Sequence, residues 1–315
     1  MNLTALLRSD AAWLVAAMVV DRFFGEPPAA IHPVVWMGRV TKQAERRLRS
    51  RVPLVQLVAG SFIALGVPAL FAGGSVLALR ATARWPLVTF AVGVWLLKST
   101  AAFTALGAAG TQMRDHLQRG ELDQARRSLG SLCSRDGSAL DDQALIAGTI
   151  ESLAENASDS VVAPLFYFAL FGLPGAMFYR AVNTLDAMIG YHGRFEYLGK
   201  ASARLDDLLN LAPARLTAFL LLVAGAATGQ DAPRGWRILW RDGGKTESPN
   251  AGRPMATMAG LLGVQLEKRD AYRLGDPITP LAPATIGAAW RVVTVAASLA
   301  FVAATAVLVT YGHAF

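Results

Sequence analysis

The chain has 315 residues, of which 53% are hydrophobic and only 17% charged, and its mean hydropathy is +0.37. An average soluble domain carries roughly 25% charged residues, so the balance points away from an ordinary soluble enzyme and toward a membrane protein. The net charge of +7 would suit nucleic acid, but Lys42, Arg46, Arg47, Arg49 and Arg51 crowd beside an apolar run, as the positive-inside rule expects of a cytoplasmic loop, and no nucleic-acid partner is expected. The lone cysteine, Cys133, rules out an internal disulfide and a zinc knuckle.

In chain order, Ala11 to Val20, extended back to Leu3, contains Arg8 and Asp10 and is short for a span. No small-residue cleavage site precedes Asp21, so this segment is expected as an uncleaved span or anchor rather than a signal peptide. The stretch from Asp21 to Arg39 holds Pro27, Pro28 and Pro33, which force a defined loop. There Asp21, Glu26 and His32 are candidate pocket residues, with Trp36, Phe23 and Phe24 as interfacial anchors. Leu54 to Leu79 and Trp85 to Gly107, the latter with Lys98 as its only charge, reach the ~20 residues of a membrane helix. Arg114, Arg119, Arg126, Arg127 and Arg135 follow, consistent with a second loop on the same side.

Glu121 to Leu132 predicts a short charged helix, Arg135-Asp136-Gly137-Ser138 a turn, and Ser138 with Asp141 the cap of the next helix. On that helix Ile146, Ile150, Leu153 and Ala157 form an apolar face. Glu151, Glu155 and Asp159, spaced i, i+4, i+8, share another face and are expected to look into an aqueous pocket beside the membrane. Like charges at that spacing each cost a helix roughly 0.2–0.5 kcal/mol, so the face wants a cation.

Val161 to Val182 is apolar but broken by Gly172-Leu-Pro174-Gly175. A re-entrant hairpin is expected there, because a straight crossing would carry Asn183 and Asp186 to the far side of the bilayer. Ala212 to Gly229 is barely long enough to cross, and Ala288 to Tyr311 is a last span carrying only Arg291. Asp242 to Pro254 reads as a structured loop. The sum is an all-α polytopic membrane protein of about four to six segments with polar cytoplasmic loops.

Glu151, Glu155, Asp159, Asp186, Asp206 and Asp207, with Asn156 and Asn183, form an oxygen-rich inventory suited to Mg²⁺. Such acids beside apolar segments are costly and usually functional. Gly243-Gly244-Lys245-Thr246 imitates the end of a phosphate-binding P-loop, but Leu239 stands where the first glycine is required and Pro249 interrupts any following helix. The four histidines, His32, His116, His192 and His313, give no metal-binding pair at helical spacing, and no Gly-x-Ser-x-Gly elbow occurs.

Five ordered motifs carry a likeness. They are Asp21…Gly25-Glu26-Pro27…His32-Pro33…Gly38; Glu151-Ser-Leu-Ala-Glu155-Asn156…Asp159…Ala163-Pro164; Gly175…Tyr179-Arg180-Ala-Val-Asn183-Thr184-Leu-Asp186…Gly190-Tyr191; Ala203-Arg204-Leu-Asp206-Asp207; and Ser248-Pro249-Asn250-Ala-Gly252. In these the chain resembles the CbiB/CobD family of cobalamin biosynthesis proteins, from about residue 15 to 310. Ser160, Arg253 and Tyr191 to Arg194 depart from the usual pattern.

The resemblance implies a single membrane-embedded domain over 1–315 in the inner membrane, with a cytoplasmic active site. It implies an adenosylcobinamide-phosphate synthase, an acid–amine ligase that joins (R)-1-amino-2-propanol or its O-phosphate to the propionate of adenosylcobyric acid, with Mg²⁺ and ATP. Other corrinoid-pathway enzymes are expected as partners. On this reading Glu151, Glu155 and Asp186 are catalytic, and Glu151, Glu155, Asp159, Asp206 and Asp207 take the metal. Arg180, Arg204 and Lys245 hold phosphates. Asn156, Asn183, Ser248 and Asn250, with Asp21, Glu26 and His32, bind substrate. A transporter and a non-catalytic AmpE-like membrane sensor stay open as alternatives.

Overall fold

The computed structural model describes residues 7, 9–133, 137–191 and 193–311. Arg8, Arg135, Asp136, His192 and His313 lie outside the described residues, and with them half of the turn expected at 135–138. Five stretches are long and apolar enough to cross a membrane: Pro53–Thr82, Pro86–Gln118, Asp142–Ile189, Lys200–Ala227 and Pro283–Tyr311. The protein is therefore an all-α multi-pass membrane protein, to which a two-stranded hairpin is added. The chain folds as two compact units, one of residues 1–102, 163–209 and 302–315, the other of 103–162 and 210–301.

The first unit begins with α1 (Asp10–Phe24), whose 15 residues are not among the five stretches. Its Trp13 is buried, and a side chain at Gly93 would meet the Trp13 ring at 2.7 Å, so glycine lets α4 (Pro86–Lys98) lie flat on α1. After the proline-rich loop, α2 (Pro33–Leu48) starts with Pro33 at its first position, where a missing N–H costs nothing. The long apolar run is α3 (Pro53–Thr82), which exposes Leu54, Phe62, Leu65, Leu70 and Leu77 as a lipid-facing helix does and buries Ala59, Ile63 and Val67. Against these pack Leu185 and Ile189 of α8 (Ala163–Ile189) and Leu198.

α8 contains the expected reversal. Gly172 has φ 62° and ψ −160°, a conformation open to glycine, and Pro174 follows. Tyr167 and Tyr179 stack at 5.1 Å between ring centroids, whereas a straight helix would set residues 167 and 179 about 18 Å apart. The chain turns back on itself at the Gly172-Leu-Pro174-Gly175 break. α9 (Lys200–Ala227) is longer than the apolar run predicts, because it begins at Lys200 and carries Arg204, Asp206 and Asp207 in its first turns.

The second unit opens where the helix expected from Trp85 to Gly107 is interrupted. α4 ends at Lys98 and α5 (Phe103–Gln118) resumes after Ala102. α6 (Leu122–Ser128) matches the short charged helix. α7 (Asp142–Ala157) is capped by Asp141, whose carboxylate accepts the Ala144 N–H at 2.8 Å. α10 (Ala232–Asp242) packs on α11 (Gly252–Leu262) so closely that a side chain at Gly260 would lie 2.8 Å from the Gly235 Cα. Gly252 to Pro254, expected as loop, forms the first turn of α11, where proline is tolerated. β1 (Gln265–Lys268) and β2 (Tyr272–Gly275) pair antiparallel, and α12 (Pro283–Tyr311) is the last long helix.

Candidate functional site

In the first unit the loop after α1 is drawn around a buried lysine. Lys98, at the end of α4, is 2% exposed and sits 3.0 Å from Asp21 and 2.7 Å from Glu26. His32 caps α2 through Nδ1, which accepts the Val34 N–H at 3.2 Å, so its Nε2–H is the donor to Glu26 at 2.8 Å. Burial raises the Glu26 pKa, but the hydrogen bonds from His32 and Lys98 outweigh it and hold the carboxyl below its ordinary value. Trp36 donates to the Ala30 carbonyl at 2.9 Å and meets Trp95 edge-on at 5.6 Å. The structure thus brings Asp21, Glu26 and His32 together, around a cation the sequence reading had passed over. The available signal was a single charge in a membrane-grade run.

A second cluster in this unit joins α8 to the start of α9. Arg180 donates to Asn183 at 3.4 Å, and Asn183 donates to Asp206 at 3.4 Å. The Tyr167 hydroxyl donates to the Leu209 carbonyl at 2.8 Å, tying the α8 reversal to α9. Asp206 is buried, while Arg204 is 75% exposed in its side chain and lies 3.8 Å from Asp207. Asp186 bends over the helix end, where a side chain at Gly190 would meet its Oδ1 at 2.0 Å and its carbonyl at 2.7 Å. Gly190, which the third motif contains but to which sequence reasoning gave no role, is a further residue of this cluster, and its i, i+4 spacing from Asp186 was the available signal.

In the second unit α7 carries the Glu-Asn run. The four apolar positions are buried as expected; on the other face Glu151 is 4% exposed, while Glu155 and Asp159 keep part of their surface accessible. α7 is enclosed on every side from Leu145 to Ala154. Ser158–Val162 is a π-helical turn, so the i, i+4, i+8 alignment holds for Glu151 and Glu155 and is broken before Asp159. π turns inside helices are frequent at functional sites. Asn156 is fixed across this turn, donating to the Ser152 carbonyl at 3.0 Å and accepting from Ser160 at 3.1 Å. Ser160, a departure from the usual motif, therefore makes a bond that a glycine could not.

The Ser248-Pro249-Asn250 loop is closed by Thr246, which donates to the Ser248 carbonyl at 2.7 Å and accepts the Gly252 N–H at 3.0 Å. Arg215 reaches Asn250, which is buried, at 3.4 Å. Lys245 pairs with Asp242, and a helix, not the strand that a P-loop needs, precedes the Gly-Gly-Lys-Thr sequence. Asp242 also takes Arg241 at 2.7 Å and the Gly275 N–H at 2.8 Å. Burial acts to raise its pKa, yet those bonds bring it down to about 2. The acids assigned to metal divide between the units, Glu151, Glu155 and Asp159 in one and Asp206 and Asp207 in the other. Among the described residues no three His, Cys, Asp or Glu side chains converge into a metal cage. Such donors suit a cation that takes one or two carboxylates and completes its shell with phosphate and water, as Mg²⁺ does.

Comparison with known proteins follows the same lines. The family pattern described as CobD/Cbib protein matches residues 14–296. A cobalamin biosynthesis protein CobD of Dehalococcoides mccartyi is 46% identical over 276 residues, 86% of this chain and 88% of that protein. A probable cobalamin biosynthesis protein CobD of Thermococcus kodakarensis is 43% identical over 261 residues, 82% of each chain. A cobalamin biosynthesis protein CobD of Geobacter metallireducens is 40% identical over 290 residues, 89% of this chain and 90% of that one. No solved structure matches the chain at a significant level. A pattern running through residues 14–296 and relatives at 40–46% identity over most of both chains show that this chain belongs to the CobD/CbiB family.

Proposed function

We propose that the protein is the amide-forming enzyme of cobalamin biosynthesis, an adenosylcobinamide-phosphate synthase of the cell inner membrane with its site on the cytoplasmic face. The observation that supports it is the placing of Arg180, Asn183, Asp206 and Glu151 on helices otherwise apolar enough to span a bilayer. Charge there is expensive without a task. The proposed reaction couples a carboxylate to an amine. The γ-phosphoryl of ATP passes to the free propionate of adenosylcobyric acid with release of ADP. The amine of aminopropanol or its O-phosphate then attacks the acyl carbon, and inorganic phosphate leaves as the C–N bond forms.

Each step makes a demand on this chain's residues. The substrate ammonium must lose a proton before its nitrogen can attack, and Glu155, half-buried beside the π turn, is the proposed base, with Glu151 and Asp186 as the other catalytic carboxylates. Arg180 and Arg204 are assigned to anionic oxygens, and Lys245 keeps donors beyond the one given to Asp242. Asn156, Asn183, Ser248 and Asn250 orient polar groups of the substrates, and Asp21, Glu26 and His32 shape the loop that carries the first motif. Mg²⁺, taken by carboxylates among Glu151, Glu155, Asp159, Asp206 and Asp207, would neutralise charge on the transferring phosphoryl group.

Complementation of a corrinoid auxotroph tests the assignment. Glu155→Ala and Asn183→Ala are expected to fail while accumulating in the membrane at wild-type level. Full complementation by both variants would overturn the proposed roles, and uptake of a corrinoid by vesicles without amide formation would favour a transporter.

A further inference from the structure

A cavity of about 760 Å³ opens in the first unit, lined by none of the residues assigned above to a site, and four of its lining residues are arginines: Arg46, Arg49, Arg51 and Arg194. Glu45 is the one carboxylate on the wall. Four positive groups against one negative leave the lining with a net of three positive charges. Membrane topology alone accounts for basic residues ahead of α3, but it does not require them to meet an arginine from residue 194.

That meeting is built into the fold. A side chain at Gly60 of α3 would stand 2.0 Å from the Leu198 carbonyl, so glycine there lets the segment after α8 press onto α3. Arg194 is pinned by Glu45 at 3.2 Å and lies over the Phe195 ring at 5.0 Å. Ser50 is fixed from both sides, its hydroxyl accepting the Val52 N–H at 3.1 Å and its carbonyl accepting from Gln56 at 2.7 Å. We propose that this cavity is a binding site for a phosphate group, recognised by the arginine forks that match phosphate oxygens in pairs. Two sources share that chemistry. One is the headgroup of an acidic phospholipid, since the cavity adjoins the start of a membrane-spanning helix at Pro53. The other is a soluble phosphorylated ligand. The inference is independent of the amide-forming reaction.

The test uses the full chain purified in neutral detergent. Phosphatidylglycerol against phosphatidylcholine is read by native mass spectrometry, and inorganic pyrophosphate at constant ionic strength by calorimetry. Wild type is expected to bind at least one of the two anions; retained phosphatidylglycerol assigns the site to lipid, pyrophosphate binding to a soluble ligand. Arg49→Gln with Arg51→Gln is expected to weaken that binding roughly tenfold or more, on the scale of charged hydrogen bonds. Lys42→Gln with Arg47→Gln, which removes the same charge from outside the cavity, is expected to leave it within twofold. Arg46→Gln alone serves as a milder variant with a loss in the same direction. Binding of neither anion, or equal losses from the two double variants, would overturn the proposal.

Discussion

Asp21 in the first unit and Asp242 in the second are both buried carboxylates with a lysine partner, and the two networks do different work. At Asp21 the cation is buried as well, Lys98 being 1% exposed in its side chain, and it also holds Glu26 and through it His32. At Asp242 the cations are half-exposed, Arg241 at 44% and Lys245 at 49%, and the carboxylate is spent on the Gly275 N–H that fastens the β-hairpin to α10. The first network shapes a loop whose residues belong to a family motif. The second fastens the hairpin, and it contains Lys245, which is also proposed to hold phosphate. A charge near a polar motif is thus informative only once its partner is known.

Replacing Lys98 by methionine gives the largest expected effect, because it strands two carboxylates beside an apolar helix. Breaking a buried pair in this way costs about 3–5 kcal/mol, to be read as a lowered Tm in detergent, with Lys98→Arg recovering part of it. An unchanged Tm would erase the distinction between the networks. Asp242→Asn is expected to cost about 2 kcal/mol. Because the folded pKa lies at about 2, below the ordinary 3.8, this contribution is full above the ordinary value and is lost as pH falls toward 2. Wild type should lose stability across that window, and the Asn variant should lose less.

Gly190→Ala drives a methyl against Asp186 and is expected to cost roughly 1 kcal/mol while lowering turnover far more than stability. Equal small losses in both would remove Asp186 from the reaction. Lys245→Gln breaks a half-exposed pair and should change stability by less than about 1 kcal/mol. If Lys245 also holds phosphate, KM for ATP rises while Tm stays; a KM that does not move returns the lysine wholly to the scaffold.

Much of this was legible in the sequence, for physical reasons. α3 and α12 follow from unbroken apolar runs, the Asp141 cap from its side chain, and the α8 reversal from glycine and proline side by side. Other features depend on contacts between distant residues. The interruption after Lys98 falls at Ser99 to Ala102, where no proline or glycine announces it. α9 extends back through Arg204, Asp206 and Asp207 because its polar first turns have partners, Asn183 for Asp206 and Arg204 for Asp207. The hairpin turns at Asp270, which has φ 60°, and its short strands are too polar to declare themselves. On α7 the spacing of Glu151, Glu155 and Asp159 was sound for a helix, but the π turn changed the geometry that spacing implies.

The most direct measurement follows the oxygen atoms of the carboxylate. Purified, reconstituted protein would be given adenosylcobyric acid labelled with ¹⁸O in its free propionate, aminopropanol O-phosphate and Mg-ATP. An amide product is expected, with one ADP per amide and one ¹⁸O carried into each released phosphate. No amide under these conditions, or amide formed with no label in the phosphate, would contradict the proposed reaction.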